Sequence, residues 1–249
     1  MVAMRNVVLA SAAVVGALAG SASGTMYQWN WVVGDPGSPN NSGGAFESIT
    51  GCYDTVTEEL MWSVTFSNTI TDGFTLALNN GPNPKGHAGE LALLYVDARA
   101  ADVKIAAYAY NGNNAIDSWK DGNGNVAGNQ PSDFIQSFNL AGTMSDNAGK
   151  RTISFTIDAS GINAHAPLYP DAVDPWYGIG FEDKIGLWMH PFNTFNPTYN
   201  PNGSIASMST SGQGWFDGSN FDTDIKLPSP GAATLAGAAG LMLAGRRRR

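Results

Sequence analysis

The sequence has a single cysteine, Cys52, and charged residues make up only 14% of it. One cysteine cannot form an intramolecular disulfide, so disulfides cannot stabilise this fold. We expect Cys52 to be a small buried residue, with a reactive free thiol as the alternative. The stability of the fold must therefore come from side-chain packing, and a bound cation could add to that stability.

Basic residues are scarce away from the two ends of the chain. Between residues 24 and 226, eight basic side chains stand against 21 acidic ones, which gives a net charge near −13. Such a surface repels nucleic-acid phosphates and anionic lipid headgroups. The composition therefore excludes nucleic acid and anionic lipid as partners of this part of the chain.

Patterns that carry catalysis are also missing. The chain has five glutamates, Glu47, Glu58, Glu59, Glu90 and Glu182, and three histidines, His87, His165 and His190. The glutamates do not form the Glu-x-Asp-x-x-Glu pattern that places two carboxylates about 5 Å apart in retaining glycosidases. The histidines lack metal-binding spacing, and no Gly-x-Ser-x-Gly elbow occurs. We expect no enzymatic activity, and a hydrolase whose site is assembled from distant residues stays open.

Helical periodicity is absent between residues 24 and 226, where apolar residues alternate with polar ones instead. In residues 57–66, Leu60, Trp62, Val64 and Phe66 fall on one face of a strand. Similar patterns predict strands over residues 27–33, 46–53, 74–78, 103–110, 134–140, 152–157 and 184–189. The continuous apolar run 91–96 predicts a central strand covered on both faces.

Turn-forming pairs separate these strands, among them Asn80-Gly81, Asp121-Gly122, Ala141-Gly142 and Asn202-Gly203. Many short strands with regular turns predict an all-β domain, a two-sheet antiparallel sandwich of jelly-roll type. Residues 190–211 are predicted to form a long loop around the sandwich. Three aromatic residues within it, Phe192, Phe195 and Tyr199, are expected to hold that loop in place.

A polar loop is the best candidate for a metal site. Asp121, Asn123 and Asn125 supply oxygen ligands at alternate positions, as at the start of a calcium loop, and Asp117 precedes them. The pattern is incomplete, because Val126 stands where the calcium loop has glycine. Calcium is therefore a possible cofactor, and a solvated Asn/Gly turn is the alternative.

Tryptophans suggest a second kind of site. Trp29 and Trp31 share one face of their predicted strand, and Trp119 lies beside the polar loop. Sugar rings stack on exposed aromatic faces, while Asn and Asp bond their hydroxyls. These three tryptophans are therefore candidate glycan-binding residues, and burial in a large sandwich core is the alternative.

Both ends of the chain are predicted to direct export. Residues 1–23 combine Arg5, an apolar stretch and small residues, which is the pattern of a secretory signal peptide with a short helix. Residues 227–249 form a tail with Pro228, Ser229, Pro230 and Gly231, then an apolar helical run over 232–244 that is shorter than the roughly 20 residues of a spanning helix. The tail closes with Arg246, Arg247, Arg248 and Arg249, which the positive-inside rule keeps in the cytoplasm.

This tail resembles the PEP-CTERM sorting signal, in which a Pro-Glu-Pro motif, one hydrophobic helix and a basic cluster follow one another. Ser229 stands where that family usually has glutamate. The resemblance implies processing by an exosortase after transient insertion of the tail into the membrane. An ordinary C-terminal membrane anchor is the alternative.

The segment 78–95 resembles uncharacterised domains of other PEP-CTERM proteins, whose sandwich is similar to the concanavalin-like lectin fold. Such a resemblance implies a fold and no activity. We therefore predict an exported, non-catalytic protein of the cell surface or extracellular matrix, either structural or interacting with extracellular polysaccharide. The alternatives are a calcium-assisted carbohydrate-binding module and a polysaccharide hydrolase.

Overall fold

The computed structural model describes residues 24–35, 40–82, 84, 88–113, 116–122, 130–169 and 175–228. The predicted signal peptide lies outside the described residues, and so do residues 229–249 of the predicted sorting tail. Within the described part, no helix is long and apolar enough to cross a membrane.

The described residues are almost entirely strands. They are β1 (Thr25–Val32), β2 (Asn40–Gly43), β3 (Phe46–Asp54), β4 (Glu59–Phe66), β5 (Gly73–Asn79), β6 (Ala92–Asp97), β7 (Asp102–Ala109), β8 (Asp133–Asn147), β9 (Lys150–Asp158), β10 (Lys184–Tyr199), β11 (Ile205–Gly212), β12 (Gly214–Asp222) and β13 (Asp224–Pro228). One helix of four residues, α1 (Ser160–Asn163), follows β9. The all-β class predicted from the alternation is confirmed.

All strand pairs are antiparallel, and they join in one continuous sheet in the order β13-β1-β3-β4-β9-β8-β7-β6-β5-β10-β12-β2, with β11 paired to β10. The two ends of this order meet across the core. Trp29 of β1 and Phe216 of β12 pack edge to face with ring centroids 6.2 Å apart. The sheet therefore folds back on itself as a sandwich with an apolar interior.

Strand β8 makes the bend between the two layers. Its first part pairs with β7, Gly142 and Thr143 pair with both β7 and β9, and its last part pairs with β9 alone. The register with β7 is interrupted at this bend: Ile105 pairs with Phe138, whereas Val103 pairs with Gly142. Leu140, between these two positions of β8, has a left-handed φ of 56°. A Cβ on Gly142 would lie 1.9 Å from the carbonyl oxygen of Ser154, so only glycine fits there. The predicted turn at Ala141-Gly142 is therefore wrong, because these residues form a bend within one strand.

The core between the layers contains buried residues from both. Ile49, Leu60 and Val64 come from one layer, and Leu76 and Leu94 come from the other. Strand β6 is buried at every position, as the apolar run predicted. Its second face packs into a separate cluster that includes Leu93 and Tyr95.

That second cluster is covered by the hairpin of β10 and β11. The loop predicted over residues 190–211 is wrong, because these residues continue β10 and then form β11. Phe192 and Phe195 are buried, as expected from the aromatic pattern. The Ile205 backbone N–H donates to the Tyr108 hydroxyl at 2.6 Å, and the Tyr199 hydroxyl donates to Asp97 at 3.1 Å. These bonds fix the hairpin on the outside of β5, β6 and β7.

Candidate functional site

A pocket opens where β3, β5 and β9 end and β10 begins. It has a volume of about 280 Å³, just below the roughly 300–1,000 Å³ usual for ligand pockets. Its lining comes from the β3–β4 turn, the end of β5, the residue that ends α1 and the segment before β10, and consists of Tyr53, Thr55, Glu58, Asn80, Asn163, Tyr177, Gly180, Phe181 and Glu182. We call it the Asn163 pocket.

Asn163 connects three of the segments that line this pocket. Its amide nitrogen donates to the Tyr53 hydroxyl at 2.7 Å and to Oε1 of Glu58 at 2.9 Å. Its amide oxygen accepts the backbone N–H of Ile179 at 3.0 Å. Gly178 approaches so closely that a Cβ there would lie 2.5 Å from this oxygen. The amide is therefore fixed in one orientation, because both its hydrogens and its oxygen are used.

Glu58 adopts a backbone conformation that is unusual for its residue type. Its φ is 53°, in the left-handed region that costs a non-glycine residue about 1–2 kcal/mol. The carbonyl of Glu58 accepts the backbone N–H of Ala159 at 2.8 Å, and its carboxylate accepts from Asn163. These two bonds hold the strained residue, and strain of this kind clusters at functional sites.

Tyr53 contributes an uncharged phenol hydroxyl to the floor of the pocket. The pKa of Tyr53 is raised from 10.0 to about 12, chiefly by burial and then by the negative charge of Glu58, while the hydrogen bond from Asn163 acts in the opposite direction. The phenol therefore stays protonated across the physiological range. Its ring packs on the ring of Phe181 with centroids 5.8 Å apart. Both rings belong to the hydrophobic core, so the floor of the pocket is part of the core packing.

The pocket combines groups suited to a neutral, hydroxyl-bearing ligand. Tyr177 contributes a half-buried aromatic ring, Asn80 an exposed amide, and Glu58 and Glu182 contribute acceptor oxygens. Amides and carboxylates bond sugar hydroxyls, and an aromatic ring stacks on the apolar face of a sugar. No basic side chain lines the pocket among the described residues, so an anionic ligand would meet only repulsion.

The predicted glycan-binding residues of β1 lie elsewhere. Trp29 and Trp31 do share a face, but that face is the core, and they are 6% and 5% exposed. Trp29 stacks on Trp62 with centroids 6.4 Å apart, and Trp31 packs on Phe216 at 4.9 Å. Their ring faces are not accessible to a sugar. Alternation identified a shared face correctly, and only the folding back of the sheet determines that this face is internal.

Trp119 is half-buried beside the second cluster. Its backbone N–H donates to the Tyr95 hydroxyl at 3.1 Å, and its carbonyl accepts from the Ser132 hydroxyl at 3.0 Å. The Lys120 ammonium lies over the ring, 5.8 Å from its centroid. Trp119 does not line the Asn163 pocket, and its glycan-binding role stays a prediction.

The acidic residues of the predicted calcium loop have other partners. Asp117 forms an ion pair with Lys120 at 2.9 Å, and Oδ1 of Asp121 accepts the backbone N–H of Ser132 at 2.9 Å. Asn123 and Asn125 lie outside the described residues. In the part of the chain that the structure describes, no group of three or more His, Cys, Asp or Glu side chains is placed to hold a metal ion. Calcium binding stays a prediction.

The candidate sugar contacts predicted from the sequence, Trp29, Trp31 and Trp119, are not among the residues that line the pocket. Tyr53, Glu58 and Asn163 were not singled out as a group, because they are separated along the chain and follow no motif. The left-handed φ of Glu58 leaves no trace in composition or alternation.

Comparisons with known proteins add little to this geometry. No protein-family model matches the chain, and no curated protein matches it at the required significance. A weak similarity relates the chain to a solved structure from work on pH-induced modulation of Streptococcus parasanguinis adhesion by Fap1 fimbriae. It is 16% identical, the match covers 81% of this chain and 92% of that one, and the TM-score is 0.22. A likeness at that level supports no statement about fold or function.

Proposed function

We propose that this chain is a non-catalytic protein of the cell envelope or extracellular matrix that binds neutral extracellular polysaccharide through the Asn163 pocket. The observation that carries the proposal is the arrangement of Tyr177, Asn163 and Glu58 around one cavity. It offers the aromatic ring of Tyr177 and a carboxylate acceptor to a sugar residue, and the amide of Asn163 holds Glu58 in position. The surrounding net negative charge favours a neutral ligand over an acidic one.

The proposal includes an exported location. Residues 1–23 would direct secretion, and residues 227–249 would insert transiently with the arginines in the cytoplasm until an exosortase processes the tail. The Pro-Ser-Pro segment, the apolar run and the four arginines support this assignment by their order along the sequence. The finer assignment of the domain as a jelly-roll, lectin-like sandwich is part of the same proposal.

Calorimetric titration of the purified protein with extracellular polysaccharide from its host tests the binding function. We expect heat with the unmodified protein and its loss in Tyr177→Ala, because the aromatic contact is removed. Tyr169→Ala, which removes a half-buried tyrosine outside the pocket, is the matched control and should bind normally. Equal binding by Tyr177→Ala would contradict the assignment of the pocket.

The same titration with a chelator examines the calcium-assisted alternative. Binding that disappears with chelator, and returns with calcium, would assign the ligand to the loop containing Asp117 and Asp121. Binding that is indifferent to chelator supports the Asn163 pocket without a metal.

A polysaccharide hydrolase is the second candidate function, because Glu58 and Glu182 line the same aromatic pocket. Two carboxyl groups across a sugar-binding cleft are the requirement for glycoside hydrolysis. Release of reducing ends from the bound polysaccharide, abolished in Glu58→Gln, would establish hydrolysis. Intact polysaccharide after prolonged incubation would favour binding alone.

A further inference from the structure

The outward face of the first layer presents two straight rows of small polar side chains. Strand register places Asn30, Thr50, Ser63, Ser154 and Thr143 side by side across β1, β3, β4, β9 and β8. The next row consists of Ser48, Thr65, Thr152 and Ser145. We call these two rows the hydroxyl face. The residues between them along the strands, such as Ile49, Val64 and Ile153, point into the core.

The spacing of the hydroxyl face is regular because a sheet makes it so. Neighbouring strands lie about 4.7–4.9 Å apart, and alternate residues on one strand are separated by about 6.5–7 Å. All nine side chains of the two rows are at least partly exposed. Such a surface repeats one kind of hydrogen-bonding group at fixed intervals in two directions. It therefore suits a ligand that also repeats its hydroxyl groups.

Bonds within the rows leave most of their hydrogen-bonding capacity unused. The Ser63 and Ser154 hydroxyls lie 2.8 Å apart, and those of Thr65 and Thr152 lie 3.0 Å apart. A hydroxyl offers one donor and two acceptor sites, so a bonded pair retains one donor and three acceptors. Each pair is also oriented by its internal bond. The hydroxyl face thus presents preordered donors and acceptors at a low cost in side-chain entropy.

The charge around the hydroxyl face selects against acidic ligands. Neither row contains an ionisable side chain, although residues 24–226 carry a net charge near −13. At one end of the same strands the exposed Lys150 is paired with Glu47. At the other end Glu59 and Asp158 pair directly and are exposed, so carboxylates without a cation among the described residues border the face there. An anionic polymer would meet these charges, whereas a neutral one would not.

A concave region runs along the first row, on the side away from the second row. It has a volume of about 350 Å³, and its lining includes Thr50, Cys52, Met61, Thr143 and Thr156. Met61 and Cys52 supply an apolar patch beside the hydroxyl groups of the first row. Sugar rings have polar edges and apolar C–H faces, so a glycan chain can use both kinds of surface at once.

We propose that the hydroxyl face binds a neutral, unbranched polysaccharide chain lying across strands β3, β4, β9 and β8. This inference rests on the proposed glycan-binding function and adds an extended surface to the single-residue Asn163 pocket. The row of hydroxyls contacts the edges of successive sugar residues, and the concave region holds one ring over Met61. The binding free energy is the sum of several weak contacts along the polysaccharide chain, and no single pocket provides most of it.

The test uses the whole protein with two neutral soluble probes, hydroxyethylcellulose and linear dextran, and with carboxymethylcellulose as the anionic counterpart. The variant Thr50→Val/Thr143→Val removes two hydroxyls while keeping shape and strand preference. Thr194→Val/Thr210→Val, on β10 and β11, is the matched control. We expect at least one neutral probe to bind, and its affinity to fall at least about fivefold in the first variant only, as for two lost hydrogen bonds.

Three results would overturn the inference. They are equal affinity of the first variant and the unmodified protein, carboxymethylcellulose binding as tightly as the neutral probes, and no binding of either neutral probe. Concentration-dependent dimerisation that the first variant abolishes would overturn it as well and assign the face to a second copy of the chain. The proposed function fails separately, through the titration of Tyr177→Ala with host polysaccharide.

Discussion

The side-chain amide nitrogen of Asn163 lies 2.7 Å from the hydroxyl oxygen of Tyr53, although the two residues are 110 positions apart in the chain. The same nitrogen donates to Glu58, and the amide oxygen accepts from Ile179. One short side chain therefore joins the end of β3, the β3–β4 turn and the segment before β10. The relative positions of Tyr53, Glu58 and Ile179 around the Asn163 pocket are therefore coupled through this amide.

Removal of that amide is expected to destabilise the protein as well as the pocket. Asn163→Ala loses three hydrogen bonds, one of them to a carboxylate, and should lower the free energy of unfolding by about 2–3 kcal/mol. Chemical denaturation followed by circular dichroism measures this. Asn193→Ala, at an exposed position of β10, should change it by no more than about 0.5 kcal/mol. Equal effects of the two substitutions would contradict the role of Asn163.

Trp29 should behave as a core residue and not as a sugar contact. Trp29→Ala leaves a large cavity between the layers and should cost about 3–5 kcal/mol of unfolding free energy. Tyr177→Ala, at the half-buried ring of the pocket, should cost less than half as much. Denaturation midpoints of the two variants give the comparison. A Trp29→Ala variant of normal stability with lost glycan binding would restore the original prediction for this tryptophan.

The hairpin between β8 and β9 offers a stabilising substitution. Ala148 and Gly149 form its two-residue loop, with φ of 51° and 80°. A turn with two left-handed residues favours Asn-Gly, and alanine is strained there. Ala148→Asn should therefore raise the free energy of unfolding by about 0.5–1 kcal/mol. Ala206→Asn, at an exposed position of β11, should give no such gain, because asparagine is disfavoured in extended strands. A gain at both positions would point to a cause other than turn geometry.

Alkaline pH should weaken the attachment of the β10–β11 hairpin. The pKa of the Tyr108 hydroxyl is raised from 10.0 to about 12, because the effect of burial exceeds the opposite effect of the hydrogen bonds from Ile205 and Ser204. Because the folded-state pKa lies above that of the unfolded chain, this contribution to stability is complete below pH 10 and disappears as pH rises through 12. Denaturation midpoints measured between neutral and strongly alkaline pH should fall across that window.

Tyr108→Phe gives the control for this pH dependence. It should be less stable at neutral pH by about 1–3 kcal/mol, because the Ile205 N–H loses its acceptor. Its stability should then decline less steeply with pH, since one buried phenol no longer titrates. An unchanged slope in this variant would show that other groups carry the alkaline transition.

The sequence by itself determined the strand content. Alternation in β4 and β9, and the continuous apolar run of β6, follow from the two faces of a strand and whether one or both are buried. The same local rules failed for β11 and β12, because Ser, Gly and Asn carry little periodic signal. They also placed a turn at Gly142, where a glycine serves a bend within β8 instead.

Tertiary structure decided which faces and which residues meet. The pairing order brings β1 and β12 together across the core, so Trp29 and Trp31 are internal although nothing local distinguishes them from exposed tryptophans. The Asn163 pocket joins residues far apart in the chain, and the hydroxyl face needs the register of five strands. Hydrophobic periodicity is a local property, whereas a binding surface depends on long-range pairing, and that is why the sequence predicted the strands and missed both surfaces.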